Sequence, residues 1–259
     1  LILGRDTGGG GNTDTMLLAS YDVTNQKATV MSIPRDTMVN VDWDVKKINS
    51  VYNMNGGGDK GIKALYQEIS QLVGFEPDYQ VVVEWEAVGK IVDAMGGVWF
   101  DVPRDMNYDD PYQNLSIHFS KGMQHLDGED ALKVVRFRHN NDGSGYGTED
   151  IGRISTQQAF LKTVAQKMLQ PGNLVKVGDY AKIFQQYVDT NLKLSDMAWF
   201  GTEAIKMGSG AVEFSTLPGE WHSSDGFIHL DAEETLTLVN EHLNPYVEDR
   251  IMEDLQIPS

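Results

Sequence analysis

Three short apolar runs, separated by turn-forming residues, occupy the first 33 positions of the 259-residue chain, and this arrangement constrains the fold most. Each run has the length and composition of a β-strand. They cover residues 1–4, 16–21 and 28–33. Because strands this close in sequence usually pair with one another, we predict two antiparallel hairpins. The end of the first strand, the start of the second and the end of the third then share one sheet edge, which gathers Asp6, Asp14 and Arg35.

The rest of the chain alternates between helical and strand patterns. Strand-like runs lie at residues 79–84, 98–102, 115–119, 134–139, 212–217 and 226–231, with an acidic loop at 105–111. Helical patterns lie at residues 62–72, 85–95, 180–188, 194–207 and 232–243, with another from residue 149 onward. The alternation predicts one α/β domain over residues 1–259, with a central mixed sheet and helices on both faces. The valines within 79–84 predict a strand that is buried on both faces.

Arginines concentrate in one window of this acidic chain. The chain contains seven arginines, and three of them are Arg136, Arg138 and Arg153. In the predicted strand Arg136 and Arg138 lie on one face, while Val135 and Phe137 lie on the other. A guanidinium is a planar fork of donors that stays charged, which suits phosphate oxygens. Surface ion pairs with nearby carboxylates are the alternative, but the grouping of three arginines favours an anion site.

The helix predicted from Glu149 carries two stripes. Thr148 is its expected N-cap, and Asp150, Arg153 and Gln157 lie at positions i, i+3 and i+7 on one stripe. A neighbouring apolar stripe is expected to pack against the body of the protein. Its members are Ile154, Leu161, Ala165 and Met168.

Composition excludes several classes of function. A formal net charge of -17 argues against a nucleic-acid binder, since no run of Lys and Arg supplies a basic surface. The absence of cysteine excludes disulfides, thiolate metal sites and Cys nucleophiles. The six histidines show no zinc-binding spacing, and neither a P-loop nor a serine-nucleophile motif occurs. Paired carboxylates beside arginines remain as the best chemical candidate.

Such carboxylates suggest a divalent cation next to a phosphate. Mg²⁺ prefers oxygen ligands and is often shared between one or two carboxylates and a substrate phosphate. The glycines at residues 8–11, between Asp6 and Asp14, would let the backbone approach a ligand closely. The alternative is that both aspartates are turn residues that bond to their own backbone.

Seven short motifs occur in an order that resembles one family of bacterial cell-envelope enzymes. They are residues 12–16 (N-T-D-T-M), 32–37 (S-I-P-R-D-T), 47–49 (K-I-N), 91–98 (I-V-D-A-M-G-G-V), 126–128 (L-D-G) with Ala131 and Leu132, 136–138 (R-F-R), and Asp150 with Arg153 and Gln157. Together they resemble the LytR–CpsA–Psr family. The resemblance covers roughly residues 1–170, and residues 171–259 are expected to complete the same domain.

The resemblance implies a phosphotransferase, mainly of Gram-positive bacteria, on the extracellular face of the cell membrane. Such an enzyme moves a glycopolymer, for example teichoic acid or capsular polysaccharide, from an undecaprenyl-pyrophosphate carrier onto peptidoglycan with the help of Mg²⁺. It also implies a membrane anchor, which we expect in a segment upstream of Leu1. The polyprenyl tail is expected in an apolar pocket of the core. The candidate lining residues, which equally suit ordinary core, are Val81, Val83, Val88, Val92, Phe160 and Val164.

The same resemblance assigns roles position by position. Asp6 and Asp14 resemble the metal-binding carboxylates, and Asp14, Arg35 and Arg138 form the candidate catalytic group. The residues that resemble pyrophosphate ligands are Arg35, Arg136, Arg138, Arg153 and Gln157, supported by Asp150. One departure concerns the loop before residue 13, where many members carry an arginine and this chain has glycines and Asn12.

Two other classes of function are compatible with the sequence. The first is a regulatory or surface module that binds glycan or lipid without catalysis. The second is a pyrophosphatase that acts on polyprenyl-linked lipid, because water can replace the sugar hydroxyl as the nucleophile.

Overall fold

The computed structural model describes residues 1–5, 13–112, 115–146, 149–207 and 211–258. The strands are β1 (Ile2–Arg5), β2 (Thr13–Asp22), β3 (Lys27–Ile33), β4 (Val81–Glu84), β5 (Val98–Val102), β6 (Met106–Asp110), β7 (Leu115–Phe119), β8 (Gly122–Leu126), β9 (Val188–Thr190), β10 (Val212–Thr216), β11 (Gly219–His222) and β12 (Phe227–Leu230). The α-helices are α1 (Ile48–Met54), α2 (Gly58–Val73), α3 (Trp85–Ala94), α4 (Gly128–Arg136), α5 (Glu149–Met168), α6 (Pro171–Leu174), α7 (Val177–Tyr187), α8 (Leu194–Met207) and α9 (Ala232–His242), and a 3-10 helix covers Met252–Asp254. The predicted α/β class is confirmed.

The chain divides into two compact units. The first comprises Leu1–Val82, Asp189–Leu194 and Ala211–Ser259, and the second comprises Val83–Val188 and Ser195–Gly210. Each unit has its own cluster of buried apolar side chains. The prediction of one domain over residues 1–259 stays a prediction.

A six-stranded sheet has the order β10-β3-β2-β1-β4-β9. Strand β2 pairs antiparallel with both β1 and β3, so the two predicted hairpins are confirmed. Strand β10, from the C-terminal part of the chain, pairs parallel with β3. The sheet is therefore mixed, as predicted. Its buried side chains in the first unit include Leu3, Met16, Met31 and Ile33.

The prediction that the strand at residues 79–84 is buried on both faces is wrong. In β4 only Val82 is buried, and Val81 and Val83 are both partly exposed. Strand β4 is the second strand from one end of the sheet, and its outer neighbour β9 has only three residues. A strand so near a sheet end has less packing around it than a central strand, so continuous valines do not guarantee burial.

Helix α2 follows its predicted periodicity and ends at Gly74. Ile62, Leu65, Ile69 and Leu72 are all buried, as their spacing predicts. Gly74 adopts φ of 76° and ends the helix through its N–H, which donates to the carbonyl of Ser70. A left-handed residue at this position favours glycine because it has no Cβ.

The second unit is built around helices α3, α4, α5 and α7 and two strand pairs. Strand β5 pairs antiparallel with β8, and β6 pairs antiparallel with β7. The rings of Phe100 on β5 and Phe160 on α5 meet edge to face, with centroids 5.2 Å apart. The predicted acidic loop at residues 105–111 is largely strand β6. Its side chains differ in burial as expected for the two faces of a strand, since Met106 is fully buried and Asp109 is exposed.

The predicted strand at residues 134–139 is wrong, because helix α4 runs to Arg136. The helix is favoured locally by Asp127, whose side chain accepts a hydrogen bond from the N–H of Asp130 at the N-terminus. Phe137 then leaves the helix with φ of -59° and ψ of 131°. The valines in this stretch therefore pack on a helix, where tertiary contact overrides their preference for strands.

Around the end of α4, Val135 and Phe137 still differ in burial from Arg136 and Arg138, as the sequence predicts. Ala131 and Val135 lie one helical turn apart and are both buried, and Phe137 is buried beyond the helix end. Arg136 and Arg138 are exposed on either side of Phe137. The alternation seen in the sequence thus marks the exit from a helix into extended backbone.

Candidate functional site

The start of β2 contains a β-bulge at Asp14. Gly4 pairs with Thr15, but Arg5 pairs with Thr13, so the register shifts between Gly4 and Arg5 and leaves Asp14 as the extra residue. Bulges of this kind recur next to active sites. Sequence reasoning missed it, because nothing in the residue pattern marks a register shift.

The predicted sheet edge is confirmed at the level of the strands. The pairings that join β1 to β2 and β2 to β3 bring the end of β1, the start of β2 and the end of β3 to one edge. Asp6, the glycine loop and the side chain of Asp14 lie outside the residues that the structure describes. The grouping of both carboxylates with Arg35 therefore stays a prediction.

The backbone that follows β3 is held by the start of α1. The N–H of Asn49 donates to the carbonyl of Arg35 at 3.2 Å, and the N–H of Ile48 donates to the carbonyl of Thr37 at 2.9 Å. The hydroxyl of Thr13, at the start of β2, donates to the carbonyl of Asn49 at 3.4 Å. Asn49 therefore connects the bulged strand to the segment that carries Arg35.

The charges of this segment are compensated within the first unit. Lys47 Nζ lies 2.9 Å from Asp36 Oδ1, and Arg35 Nε lies 3.7 Å from the same oxygen. The side chains of Arg35 and Asp36 are only 16% and 15% exposed. Asp36 thus orients two cations at the sheet edge, and such pairing lowers the cost of burying a guanidinium.

Thr15 supplies an observation on the predicted metal site. Its Oγ1 is buried and has no hydrogen-bond partner among the described residues, and it directly follows Asp14. A buried hydroxyl without a partner carries a desolvation cost that an oxygen-binding cation would remove. A hydroxyl, together with the two carboxylates that the sequence predicts at this edge, would offer the oxygen ligands that Mg²⁺ prefers.

In the second unit the polar stripe of α5 forms the buried face of the helix. The buried residues of this face are Arg153, Thr156, Gln157, Phe160 and Val164. Leu161 and Met168, from the predicted apolar stripe, are partly buried at the margin of the core. The side chains of Ile154 and Asp150, and the whole of Thr148, lie outside what the structure describes. The predicted packing is thus confirmed for Leu161 and Met168, while the neighbouring stripe with Arg153 and Gln157 is the more deeply buried one.

Gln157 holds the backbone next to the exposed arginines. Its Nε2 donates to the carbonyl of Val135 at 2.9 Å, in a fully buried hydrogen bond. Val135 lies directly before Arg136 in the last turn of α4. Gln157 thereby fixes the point from which Arg136 and Arg138 project, while its role as a pyrophosphate ligand stays a prediction.

Buried Arg153 lies in the surroundings of Tyr146. Burial raises the pKa of Tyr146, while a hydrogen bond with Thr156 and the positive charges of Arg104 and Arg153 act against the rise. The Arg104 guanidinium lies 5.5 Å from the centroid of the Tyr146 ring. The ring also meets Phe137 edge to face, with centroids 5.8 Å apart.

Arg104 and Tyr146 were missed by sequence reasoning. Arg104 stands alone after Pro103, and no spacing connects it to the arginines between 136 and 153. Tyr146 packs closely against α5 at Gly152, where an added Cβ would lie 2.3 Å from the Cβ of Tyr146. Only glycine at position 152 lets the tyrosine lie against the helix.

The segment that follows Arg138 is fixed to strand β6. Asn140 Oδ1 accepts a hydrogen bond from the N–H of Asn107, and Asn141 Oδ1 accepts one from the N–H of Asp109, each at 2.7 Å. The ring of His139 meets Tyr108 edge to face at 5.5 Å. Arg138 is therefore exposed but carried by a backbone that is held on both sides.

The predicted lipid-lining residues differ in their placement. Four of them belong to the buried cluster of the second unit, namely Val88, Val92, Phe160 and Val164. Val83 is partly buried against that cluster, and Val81 belongs to the first unit. The apolar pocket itself stays a prediction.

Within the described ranges, no helix is both long enough and apolar enough to cross a lipid bilayer.

Known proteins resemble this chain in sequence. The model of the LytR_cpsA_psr family matches residues 1–243. The regulatory protein MsrR of Staphylococcus aureus is 30% identical over 223 residues, which are 84% of this chain and 63% of the relative. The polyisoprenyl-teichoic acid–peptidoglycan teichoic acid transferase TagU of Bacillus cereus is 31% identical over 201 residues, 76% of this chain and 61% of the relative. The chain spans less than two thirds of the length of these curated relatives.

Solved structures resemble it in fold. The crystal structure of Bacillus subtilis TagV has a TM-score of 0.70 at 24% identity and covers 94% of this chain and 96% of the TagV chain. A LytR-Csp2A-Psr enzyme from Actinomyces oris has a TM-score of 0.72 at 24% identity and covers 93% of this chain and 88% of its own.

Proposed function

Because the chain belongs to the LytR_cpsA_psr family, we propose that it is a phosphotransferase that moves a glycopolymer from an undecaprenyl-(pyro)phosphate carrier onto peptidoglycan. The names of TagU and TagV, each a transferase of teichoic acid from a polyisoprenyl carrier to peptidoglycan, support this substrate class. The observation that carries the proposal is one edge of the sheet. The β-bulge at Asp14 lies there near the start of β2, and Arg35, whose carbonyl accepts a hydrogen bond from Asn49, follows the end of β3.

Arg35 is the proposed anchor for the phosphate in the first unit. Its backbone is hydrogen-bonded to Asn49, and Asp36 lies beside its guanidinium. A cation held in this way needs little rearrangement when negative charge develops in a transition state. Preorganised charged donors of this kind account for much of the catalysis in such sites.

The arginines of the second unit are the proposed pyrophosphate ligands that the family resemblance assigns. Arg136 and Arg138 are exposed on a fixed backbone, and Arg153 is buried on α5. Gln157 is the proposed positioning residue for this group through its bond to Val135, in addition to its assigned role as a ligand. Asp150 has the supporting role that the family resemblance gives it.

The proposed reaction is attack by an acceptor sugar hydroxyl on the phosphorus that carries the glycopolymer. The bond from this phosphorus to the bridging pyrophosphate oxygen breaks, and polyprenyl phosphate leaves with that electron pair. Asp14 is the proposed general base that takes the hydroxyl proton. Mg²⁺, when bound by Asp6 and Asp14, would neutralise charge on the phosphate oxygens. Arg35 would stabilise the charge that moves to the leaving group, and the exposed Arg138 would bind the pyrophosphate.

The polyprenyl tail is proposed to lie against the apolar residues named above, with the protein anchored at the extracellular face of the membrane by an upstream helix. Capsular polysaccharide and teichoic acid are both candidate glycopolymers. The relative MsrR is named a regulatory protein, so a non-catalytic role in binding carrier lipid is the second candidate.

Native mass spectrometry of the purified chain, after incubation with polyprenyl-pyrophosphate-linked oligosaccharide and Mg²⁺, tests the binding step. We expect the lipid to stay bound to the wild type and to be lost from an Arg136→Ala/Arg138→Ala double variant. The matched control is Arg250→Ala, since Arg250 pairs with Asp254 at 3.6 Å and stacks on Tyr246. Absence of lipid on the wild type would overturn the proposal.

Transfer of a radiolabelled glycan from the same lipid to soluble peptidoglycan oligomers tests the chemical step. We expect label on the oligomers, lost on omission of Mg²⁺ and in Asp14→Ala. Release of free glycan phosphate without transfer would identify a pyrophosphatase. Bound lipid without either product would favour the regulatory candidate.

A further inference from the structure

Two histidines and an aspartate come together on the β11–β12 hairpin of the first unit. Their ligand atoms, from His222, Asp225 and His229, all lie within 4.8 Å of one another. The pattern H-x-x-D-x-x-x-H is not a zinc spacing on a helix, so the sequence alone gave no signal. The three residues belong to neither arginine segment.

Strand pairing explains the grouping. Glu220 lies opposite His229 in the antiparallel register, and His222 is two residues along from Glu220 on the same face. His222 and His229 are therefore diagonal neighbours, a separation that imidazole side chains can bridge. Ile228 and Leu230, on the other face of β12, pack against the core, while His222 is exposed and His229 is partly buried on the opposite face.

The turn of the hairpin adds the carboxylate. Asp225 Oδ1 accepts a hydrogen bond from the N–H of Phe227 at 3.0 Å, and Oδ2 lies 2.9 Å from His229 Nε2. The bond from Phe227, followed by the one with His229, holds the pKa of Asp225 below its ordinary value. Both oxygens of this carboxylate are therefore positioned by hydrogen bonds, with Oδ2 next to the imidazole of His229.

A second imidazole distinguishes this cluster from an ordinary surface pair. His118 and Asp109 also form a His–Asp contact, at 3.2 Å, but the other nitrogen of His118 faces Asn107. On the hairpin the rings of His222 and His229 are stacked, with centroids 4.2 Å apart and 17° between planes. The hairpin therefore supplies two nitrogens and one oxygen at one point.

We infer that His222, Asp225 and His229 form a Zn²⁺ site with three protein ligands, completed by solvent. Zinc binds imidazole nitrogen and carboxylate oxygen at roughly 2.0–2.2 Å, which places tetrahedral ligand atoms roughly 3.3–3.6 Å apart. Asp225 and His229 are already close to that spacing, and the exposed ring of His222 has room to turn toward them. The set contains imidazole and differs from the all-oxygen ligands proposed for Mg²⁺.

Zinc on the hairpin would stabilise the segment that carries Arg35. The N–H of Ile228 donates to the carbonyl of Asp36, and the N–H of Met38 donates to the carbonyl of Ile228, each at 2.9 Å. Ile228 directly precedes His229. A ligand that binds only the folded hairpin raises its stability by mass action, and the amides of Met38 and Ile228 would exchange more slowly.

Isothermal titration of the full chain, purified without a polyhistidine tag, with Zn²⁺ alone tests the site. We expect one Zn²⁺ per chain and slower amide exchange at Met38 on zinc addition. His222→Asn and His229→Asn each remove a direct ligand, so the loss of affinity should exceed the roughly 10–100-fold typical of supporting groups. His118→Asn is the matched control and should bind as the wild type does.

Zinc binding of unchanged stoichiometry and affinity in the His222→Asn/His229→Asn double variant would overturn the inference. Absence of binding by the wild type would do the same. Because His222 is exposed, its variant keeps the fold, and circular dichroism checks this. Glycan transfer is measured without zinc, so failure of the zinc site and failure of the transferase proposal are read separately.

Discussion

The Arg35 segment of the first unit and the Arg138 segment of the second hold their charge differently. Arg35 is largely buried, and its carbonyl accepts a hydrogen bond from the N–H of Asn49. The neighbouring Asp36 is paired with Lys47. Arg138 is exposed, and within the described ranges neither it nor Arg136 has an ion-pair partner. A ligand that meets Arg35 finds a prearranged charge, whereas one that meets Arg138 supplies the counter-charge itself. The first arrangement favours catalysis, and the second favours salt-sensitive capture.

The largest effect is expected for Arg35→Ala. Removal of one preorganised charged contact typically costs ~10²–10³ in rate, so glycan transfer should fall by about that factor while the protein stays folded. The rate of label transfer under saturating lipid measures it, with Arg250→Ala as control. Equal rates for Arg35→Ala and wild type would remove the distinction between the two segments.

The next effect concerns the hydrogen bond from Gln157 to Val135, the residue before Arg136. In Gln157→Leu the carbonyl of Val135 loses its buried donor, which should lower the free energy of unfolding by about 1–3 kcal/mol. Denaturant unfolding measures the change. Gln166→Leu, at an exposed position of the same helix, is the matched control and should be near neutral. A stability loss of equal size in both variants would show that the bond to Val135 is not its cause.

A smaller effect is expected for Arg138→Ala, and it should depend on salt. Exposed charges are screened over roughly 8–10 Å at physiological ionic strength, so the variant should lose carrier-lipid affinity mainly at low salt. We expect the gap between wild type and variant to narrow as salt rises, while the gap for Arg35→Ala stays. Lipid binding at two ionic strengths measures both. Parallel salt dependence of the two variants would contradict the contrast.

The smallest effect concerns two tyrosines in opposite electrostatic surroundings. Burial, followed by the charges of Asp78 and Glu76, raises the pKa of Tyr66 to about 12, whereas Arg104 and Arg153 oppose the rise at Tyr146. The folded pKa of Tyr66 exceeds its unfolded value near 10, so the unfolded chain loses this proton first and stability falls as pH rises from about 10 toward 12.

Absorbance titration of Tyr66→Phe and Tyr146→Phe identifies each tyrosine. Tyr66 should ionise at higher pH than Tyr146, and Tyr66→Phe should flatten the alkaline fall in stability. Ionisation in the reverse order would contradict the assigned surroundings.

The sequence alone determined the features that depend on neighbours along the chain. The hairpins of β1, β2 and β3 follow from runs separated by short turns, and α2 follows from its periodicity and the glycine at 74. The order of motifs was sufficient to identify the family, since such motifs keep their order regardless of how the intervening segments pack.

Tertiary structure alone decided the features that depend on distant partners. Residues 134–136 became helix because a local cap and a buried face outweighed β-branched composition. The buried face of α5 is the one with Arg153 and Gln157, because Val135 and Tyr146 give its polar atoms neighbours that no periodicity predicts. Strand β10 pairs in parallel with β3, although most of the chain lies between them in sequence. The histidine pair on β11–β12 likewise arose from strand register, which places residues on one face only once the strands have paired.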